Sequence, residues 1–229
     1  MSEREDMRDM NAEIEEWNRL INEIKNCSKC PLSKSRTNAV PGEGSVRAEI
    51  MLVGEAPGET EDETGRPFVG VAGSLLRRIM REIGLREEEV YITNVVKCRP
   101  PRNRTPEKEE IAACSDYLRR QIRLIKPKII VALGNVAGEW FFNENNIKWQ
   151  GITRQRGKIY EMRVSGHKFK LIPTFHPSAA VRGSVSSDTI KEDLLKAIAE
   201  AKREIVETSR RKTLYDFIQS HSSNRSIET

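Results

Sequence analysis

Four short apolar runs, each followed by a loop and then a helical pattern, constrain this chain more than anything else in it. They lie in "AEIMLVGEAPG", "VYITNVVK", "PKIIVALGN" and "KLIPTF". Residues 48–53 and 90–96 are expected strands; the third ends at Gly134. The last ends near Phe175, after a hairpin around Ser165-Gly166. Runs that are apolar throughout need cover on both faces. Strands alternating with helices imply parallel connections. The expected fold class is therefore α/β: a three-layer α/β/α sandwich with a central four-stranded, mostly parallel sheet. In such sheets ligands bind beyond the carboxyl ends of the strands. Those ends read Gly54-Glu55-Ala56, Asn94, Gly134-Asn135 and His176-Pro177-Ser178.

The intervening segments carry helical periodicity. Residues 10–25 place Ile14, Trp17, Ile21 and Ile24 on one stripe and deliver the chain to Cys27. "GSLLRRIMREIG" puts Leu75, Leu76, Ile79, Met80 and Ile83 on one face and stops at Gly84. Thr105 and Pro106 read as the cap and first residue of a helix whose inner face is Ile111, Cys114, Leu118, Ile122 and Ile125. Cys114 is thus expected to face the core. Asn135 is expected to cap the helix carrying Trp140 and Phe141. A last helix is expected from about Ser187 to Val206, with Ile190, Leu194, Ile198 and Ala201 inward. Residues 1–207 read as a single domain and 208–229 as a polar, disordered tail.

No run approaches the ~20 apolar residues of a membrane span. The acidic start "MSEREDMRDM" is unlike a secretory signal. The expected location is the cytoplasm. Abundant Glu, Lys and Arg is a pattern thermophilic proteins tend toward. The net charge of +5 is mild, but Lys97, Arg99, Arg102 and Arg104 fall in one stretch, "KCRPPRNRTP". That stretch is either a solvated face or a loop that contacts phosphates.

The four cysteines are spaced C-x2-C (Cys27, Cys30) and C-x15-C (Cys98, Cys114). Free buried thiols, disulfides, a zinc site and an iron–sulfur cluster all remain open. Structural zinc favours two tight pairs, and only the first pair is tight. A cluster tolerates the looser pair, because its thiolates need only converge in space. Either metal site would clamp both ends of the Pro-Arg loop.

The segment "GEAPGETEDETGRPFVG" combines a tight bend after the first strand with Glu55, Glu59, Glu61, Asp62 and Glu63. Most of these carboxylates suit a solvated loop; Glu55, at the strand end, is the exception. Phe68 in a Gly/Pro-rich loop fits either core packing or stacking on a planar ligand. His176 and Asn94 fit either structural hydrogen bonding or ligand reading.

"GEAPGETED", "GRPFVG", "TNVVKCRPPRNRTP", "FHPSAAVR" and "CSKCPL" stand in this order over roughly residues 20–205. Together with the C-x15-C pair they resemble the family 4 uracil-DNA glycosylases, the iron–sulfur members of their superfamily. The resemblance implies a monofunctional glycosylase that flips uracil out of DNA and hydrolyses its N-glycosidic bond, initiating base excision repair. It implies that Cys27, Cys30, Cys98 and Cys114 hold a structural [4Fe-4S] cluster and that no catalytic metal is used. Phe68 would stack on the uracil, and Asn94 would bond its O4 and N3–H edge. His176 would bond O2, and Glu55 would face the sugar and the attacking water. Glu61 and Asn103 match positions near the base or reaction centre. Ala56 stands where some relatives carry glycine, which bears on pocket width. "HPSAAVRG" would enter the minor groove, with Ser178, Val181 and Arg182 on DNA beside Arg99, Arg102 and Arg104. Uracil-containing DNA is the implied partner, and a monomer suffices. The competing class is a nucleic-acid-binding module with a metal staple and no turnover.

In the tail, "RKTLYDFI" resembles a sliding-clamp-binding motif through Leu214, Phe217 and Ile218, with Arg211 where glutamine usually leads.

Overall fold

The computed structural model describes residues 3–203. The tail segment with Leu214, Phe217 and Ile218 lies outside the described residues. Six strands form one sheet: β1 (Glu43–Gly44), β2 (Ile50–Gly54), β3 (Val90–Asn94), β4 (Ile129–Leu133), β5 (Tyr160–Val164) and β6 (His167–Thr174), in the order β1-β3-β2-β4-β6-β5. The four expected strands are the parallel centre, β3-β2-β4-β6. Antiparallel β1 and β5 extend it at the edges. β5 is the first arm of the expected hairpin. β1 has two residues, too few to carry an alternation that sequence could reveal.

The central strands are buried on both faces, as their unbroken apolar runs require. Alternate residues feed two separate cores. Met51, Val53, Tyr91, Ile130 and Ala132 face one; Ile50, Leu52, Val90, Ile92, Ile129, Val131 and Leu133 face the other. The first core is covered by α1 (Glu3–Lys25), α4 (Lys108–Ile125) and α5 (Asn135–Glu144). The second is covered by α3 (Val71–Glu82) and the helix described over 187–203, here α8, through Leu76, Ile79, Met80, Ile190, Leu194, Ala197 and Ala201. Three short helices lie among the loops: α2 (Glu59–Thr64), α6 (Ile152–Gln155) and α7 (Pro177–Val181). No described helix is long and apolar enough to cross a membrane.

Three helical expectations change. On α1 the buried stripe is Leu20 and Ile24, whereas Ile14 is exposed. α4 begins at Lys108 rather than Pro106. Glu110 reaches back to accept the Glu107 N–H (2.8 Å), a carboxylate satisfying an orphan helix-start amide. Asn135 does not cap α5; Gly134 precedes that helix, and the Asn135 Oδ1 accepts the Ile152 N–H (3.0 Å).

From β2 the chain crosses to β3 on one side and then returns past β2 to β4 on the other. The strand order therefore reverses between β2 and β4, where such sheets open a crevice at their carboxyl edge.

Candidate active site

A cavity of about 620 Å³ opens at that edge. Glu55, Ala56, Glu61, Phe68, Asn94, Asn103, Arg104, His176, Ser178 and Arg182 all line it. The ends of β2, β3, β4 and β6 each contribute, so residues far apart in sequence meet because the strands stop at one level.

Phe68 is held in place rather than merely packed. Its backbone takes a left-handed φ of 53°, costly for a bulky residue. Three groups hold it there. The Glu61 carboxylate accepts from the N–H groups of Val69 (2.9 Å), Gly70 (2.7 Å) and Gly58 (3.1 Å). The Arg77 Nε donates to the Phe68 carbonyl (3.0 Å). α3 then approaches so closely that a Cβ on Gly73 would lie 2.0 Å from the Phe68 carbonyl, so only glycine fits. The ring ends at the floor of the cavity, 5.8 Å from the His176 ring and inclined to it by 35°. Gly54 leaves room for it: a Cβ there would meet the Asn94 Oδ1 at 2.4 Å and the Phe68 Cζ at 2.6 Å.

Asn94 is 1% exposed, and among the described residues its Oδ1 has no hydrogen-bond partner. A buried acceptor left unpaired costs about 1–3 kcal/mol. Such an atom on a cavity wall is the signature of a site awaiting a donor.

His176 caps α7. Its Nδ1 accepts the Ser178 N–H (3.2 Å) and lies 2.8 Å from the Ser178 Oγ. A backbone amide can only donate, so Nδ1 is the unprotonated nitrogen and Nε2 carries the hydrogen. Burial, with a lesser push from Arg182, lowers the ring's pKa to about 4; Glu61 opposes the shift. His176 is thus a neutral donor at ordinary pH.

Glu55 is part-buried, its pKa raised by burial. Among the described residues its carboxylate has no side-chain partner. Of its acidic neighbours, Asp62 is buried and accepts from the Thr37 and Asn38 N–H groups at 2.9–3.2 Å. Glu59 is exposed and pairs with Arg99 (3.1 Å).

The basic stretch divides. Arg104 makes two bonds (2.8 and 2.7 Å) to Glu110, itself 2% exposed. The Arg99 Nε donates to the Asn103 Oδ1 (2.7 Å). Arg102 and Asn103 both have left-handed backbones, which turns the exposed Arg102 outward. Lys97 belongs to neither reading of this stretch: it is 1% exposed. Its Nζ donates to the Thr93 Oγ1 (2.7 Å), the Asn94 carbonyl (2.6 Å) and the Gln121 Oε1 (2.7 Å). Burial pulls its pKa down to about 7, against the nearby Cys114 and Cys98 thiols. No pattern in the sequence marked it, because the niche joins two oxygens at the end of β3 to one from α4. At the rim, Val71 (73% exposed) presents a bare apolar side chain; Val181 (45%), beside the lining residue Arg182, is exposed but does not line the cavity. Val71 could have been noticed as an apolar first residue of its helix.

None of the four cysteines is in a disulfide; Cys98 and Cys114 are buried and Cys27 and Cys30 partly so. Three of the sulfurs face donors: Arg36 Nη1 on Cys98 (2.9 Å), the Lys97 N–H on Cys114 (3.3 Å) and the Lys29 N–H on Cys27 (3.5 Å). Burial pushes the Cys98 thiol up, and the Cys114 thiol to about 11. Among the described residues, no group of three or more His, Cys, Asp or Glu side chains is placed to hold a metal ion.

A doubly covered parallel sheet with a polar cavity at its switch point, floored by an aromatic ring, defines a ligand-binding α/β protein of the doubly wound kind. A sequence model of the uracil DNA glycosylase superfamily matches residues 41–201. The type-4 uracil-DNA glycosylase of Saccharolobus solfataricus is 51% identical over 77% of this chain and 82% of its own. That of Thermotoga maritima is 49% identical over 82% and 94%. The type-5 enzyme of Pyrobaculum aerophilum is more distant, at 30% over 79% and 92%. The chain belongs to the uracil-DNA glycosylase superfamily, alongside its type-4 members.

Proposed function

We propose that this protein hydrolyses the bond between uracil and deoxyribose in DNA and leaves an abasic site. The observation that carries this reading is the unpaired, buried Asn94 Oδ1 in a cavity shared with Phe68 and His176. Uracil offers a donor at N3 and an acceptor at O4, which suit the Asn94 Oδ1 and its amide nitrogen. Cytosine reverses both. A base must leave the duplex to reach this depth, and a flipped base can lie on the Phe68 ring.

Heterolysis of the C1′–N1 bond sends its electron pair to the base and leaves positive charge on the sugar. The uracil anion spreads its charge over O2 and O4. The His176 Nε2–H, aimed by Ser178, donates to O2, and Asn94 serves the opposite edge. Donors that strengthen as charge develops lower the barrier. Glu55 faces the sugar side, where it stabilises the cation and takes the proton of the attacking water. Glu61 acts through the loop that it ties down. Arg102 and Arg182 supply phosphate contacts, and Val181 enters the gap left by the base.

The cysteines suit a [4Fe-4S] cluster. Thiolates on four separate irons stand further apart than four on one zinc ion. Buried sulfurs facing N–H donors and Arg36 match the charge of such a group. Cys27, Cys30, Cys98 and Cys114 would each ligate one iron, and the cluster would supply cross-linking rather than chemistry. Leu214, Phe217 and Ile218 would attach the enzyme to a sliding clamp. The setting is the cytoplasm, and one chain supplies the whole cavity.

Incubation with duplexes carrying a single uracil, cytosine or thymine, followed by alkaline strand cleavage, tests the reading. Cleavage at uracil alone is expected. Asn94→Ala should lower the single-turnover rate by about 100-fold or more. An unreactive uracil duplex, or an unaffected variant, overturns it.

A further inference from the structure

The reading of Asn94 leaves open what aims it. Asn94 ends β3, and just beyond it the Val95 N–H donates to the Gly54 carbonyl and the Val96 N–H to that of Glu55. The Lys97 ammonium donates to the Asn94 carbonyl, closing the 94–97 turn from within (2.6 Å).

The protonation of the niche follows from its partners. The Thr93 hydroxyl donates to the Pro41 carbonyl (2.7 Å), so its oxygen accepts from Lys97. The Gln121 amide nitrogen donates to the Pro41 carbonyl (2.8 Å) and the Tyr91 hydroxyl (3.2 Å), so Oε1 is the face turned to Lys97. Three acceptors meet three N–H bonds, and a neutral amine would leave one acceptor facing a lone pair. The ammonium thereby ties the base-reading end of β3 to α4 and to the segment entering β1. Its own backbone N–H reaches the Cys114 sulfur, and Cys98 follows it in the chain.

We propose that Lys97 is a positioning residue for catalysis: its buried ammonium holds the turn that keeps Asn94 in register with the departing base, and links that register to the cysteine site. This rests on the assignment of Asn94 to the base. A misaimed Asn94 stabilises the leaving anion less. The deficit is therefore greater for a poor leaving group than for a good one, whereas general loosening of the fold slows both alike.

The test compares the wild type, Lys97→Met and Asn94→Ala, each as holoenzyme, in single-turnover cleavage of duplexes carrying uracil or the more acidic 5-fluorouracil. Iron content, visible absorption, DNA affinity and thermal melting are read on the same preparations. Lys97→Met should lose about 30-fold on uracil and at least about threefold less on 5-fluorouracil, with iron and DNA affinity retained. Equal losses on the two bases, no loss, or a loss that follows departing iron overturns the proposal. An unaffected Asn94→Ala instead overturns the reading of Asn94 itself. Should Lys97→Met not fold, Thr93→Val removes one acceptor from the niche. It should show the same base-dependent pattern at about a threefold loss on uracil, and equal losses again count against the proposal.

Discussion

At the scale of single residues, the site depends on side chains held in one protonation state by their neighbours. His176 is the clearest case. Its folded pKa of about 4 lies below its ordinary value of 6.5. The unfolded chain takes up a proton below about 6.5, and the folded one only near 4. His176 therefore contributes stability that is complete above about 6.5 and is lost as pH falls toward 4. Between pH 7 and 4.5 the wild type should lose about 2 kcal/mol more than His176→Asn in denaturant melts. Arg182 and Glu61 are the charges that act on the ring. Because its working form is neutral, His176 should give the single-turnover rate no break near pH 6.5. A break there that disappears in His176→Asn would sink the account. Asn94 and His176 were legible as candidates because each stands at or just after a strand end, where a parallel sheet collects its ligand, and Phe68 because it is an aromatic in a Gly/Pro-rich loop. Lys97 was not: a lysine between valine and cysteine reads as surface charge until the fold surrounds it with oxygens.

At the scale of elements, the strands and helices that cover the cores were legible, since apolar runs and 3.6-residue stripes are what burial requires. The boundaries were less so. The Glu110 carboxylate moved the start of α4 past Pro106, and a competition between local caps is decided by geometry that no spacing encodes. The more consequential hidden feature is the joint between α1 and α4. It is made by Leu20 and Ile24 in the core, and by ion pairs of Glu23 with Arg120, Glu16 with Arg123 and Glu13 with Lys126. Those pairs are largely exposed, and exposed pairs contribute only about 0–1 kcal/mol each. On the proposed reading, a cluster held by Cys27 and Cys30 after α1, Cys98 before α4 and Cys114 in its second turn would carry much of the joint. Cys98→Ala should lower the melting temperature and speed hydrogen exchange in residues 10–36 and in the first turns of α4, while β4 keeps its protection. Metal binding is folding energy for the segments it ties, so about 3 kcal/mol of local protection should go. Unchanged exchange in α1, or an equal loss throughout the sheet, would show that the cysteines do not act as this clamp.

At the scale of the whole molecule, the two ends of the sheet have different work. The carboxyl edge holds the cavity, Arg102, Arg182, Val71 and Val181. α8 starts beyond the loop that follows α7 at this edge and runs back across the second core. By Glu200 it has reached Lys170 (3.0 Å), which pairs with Ile129 at the start of β4. Lys202 acts electrostatically on Glu89, just before β3. The described chain therefore leaves the domain at the edge opposite the cavity. On the proposed reading, a clamp contact made beyond α8 would start from the edge away from the cavity and need not compete with it for DNA. Deleting residues 209–229 should therefore leave uracil release within about twofold of the full chain, while capture by an immobilised sliding clamp is lost. Leu214→Ala with Phe217→Ala in the full chain should reproduce the loss of capture. Survival of capture in either variant would remove the clamp from the account. A large fall in uracil release would mean that the tail serves the cavity edge after all, against the path of α8.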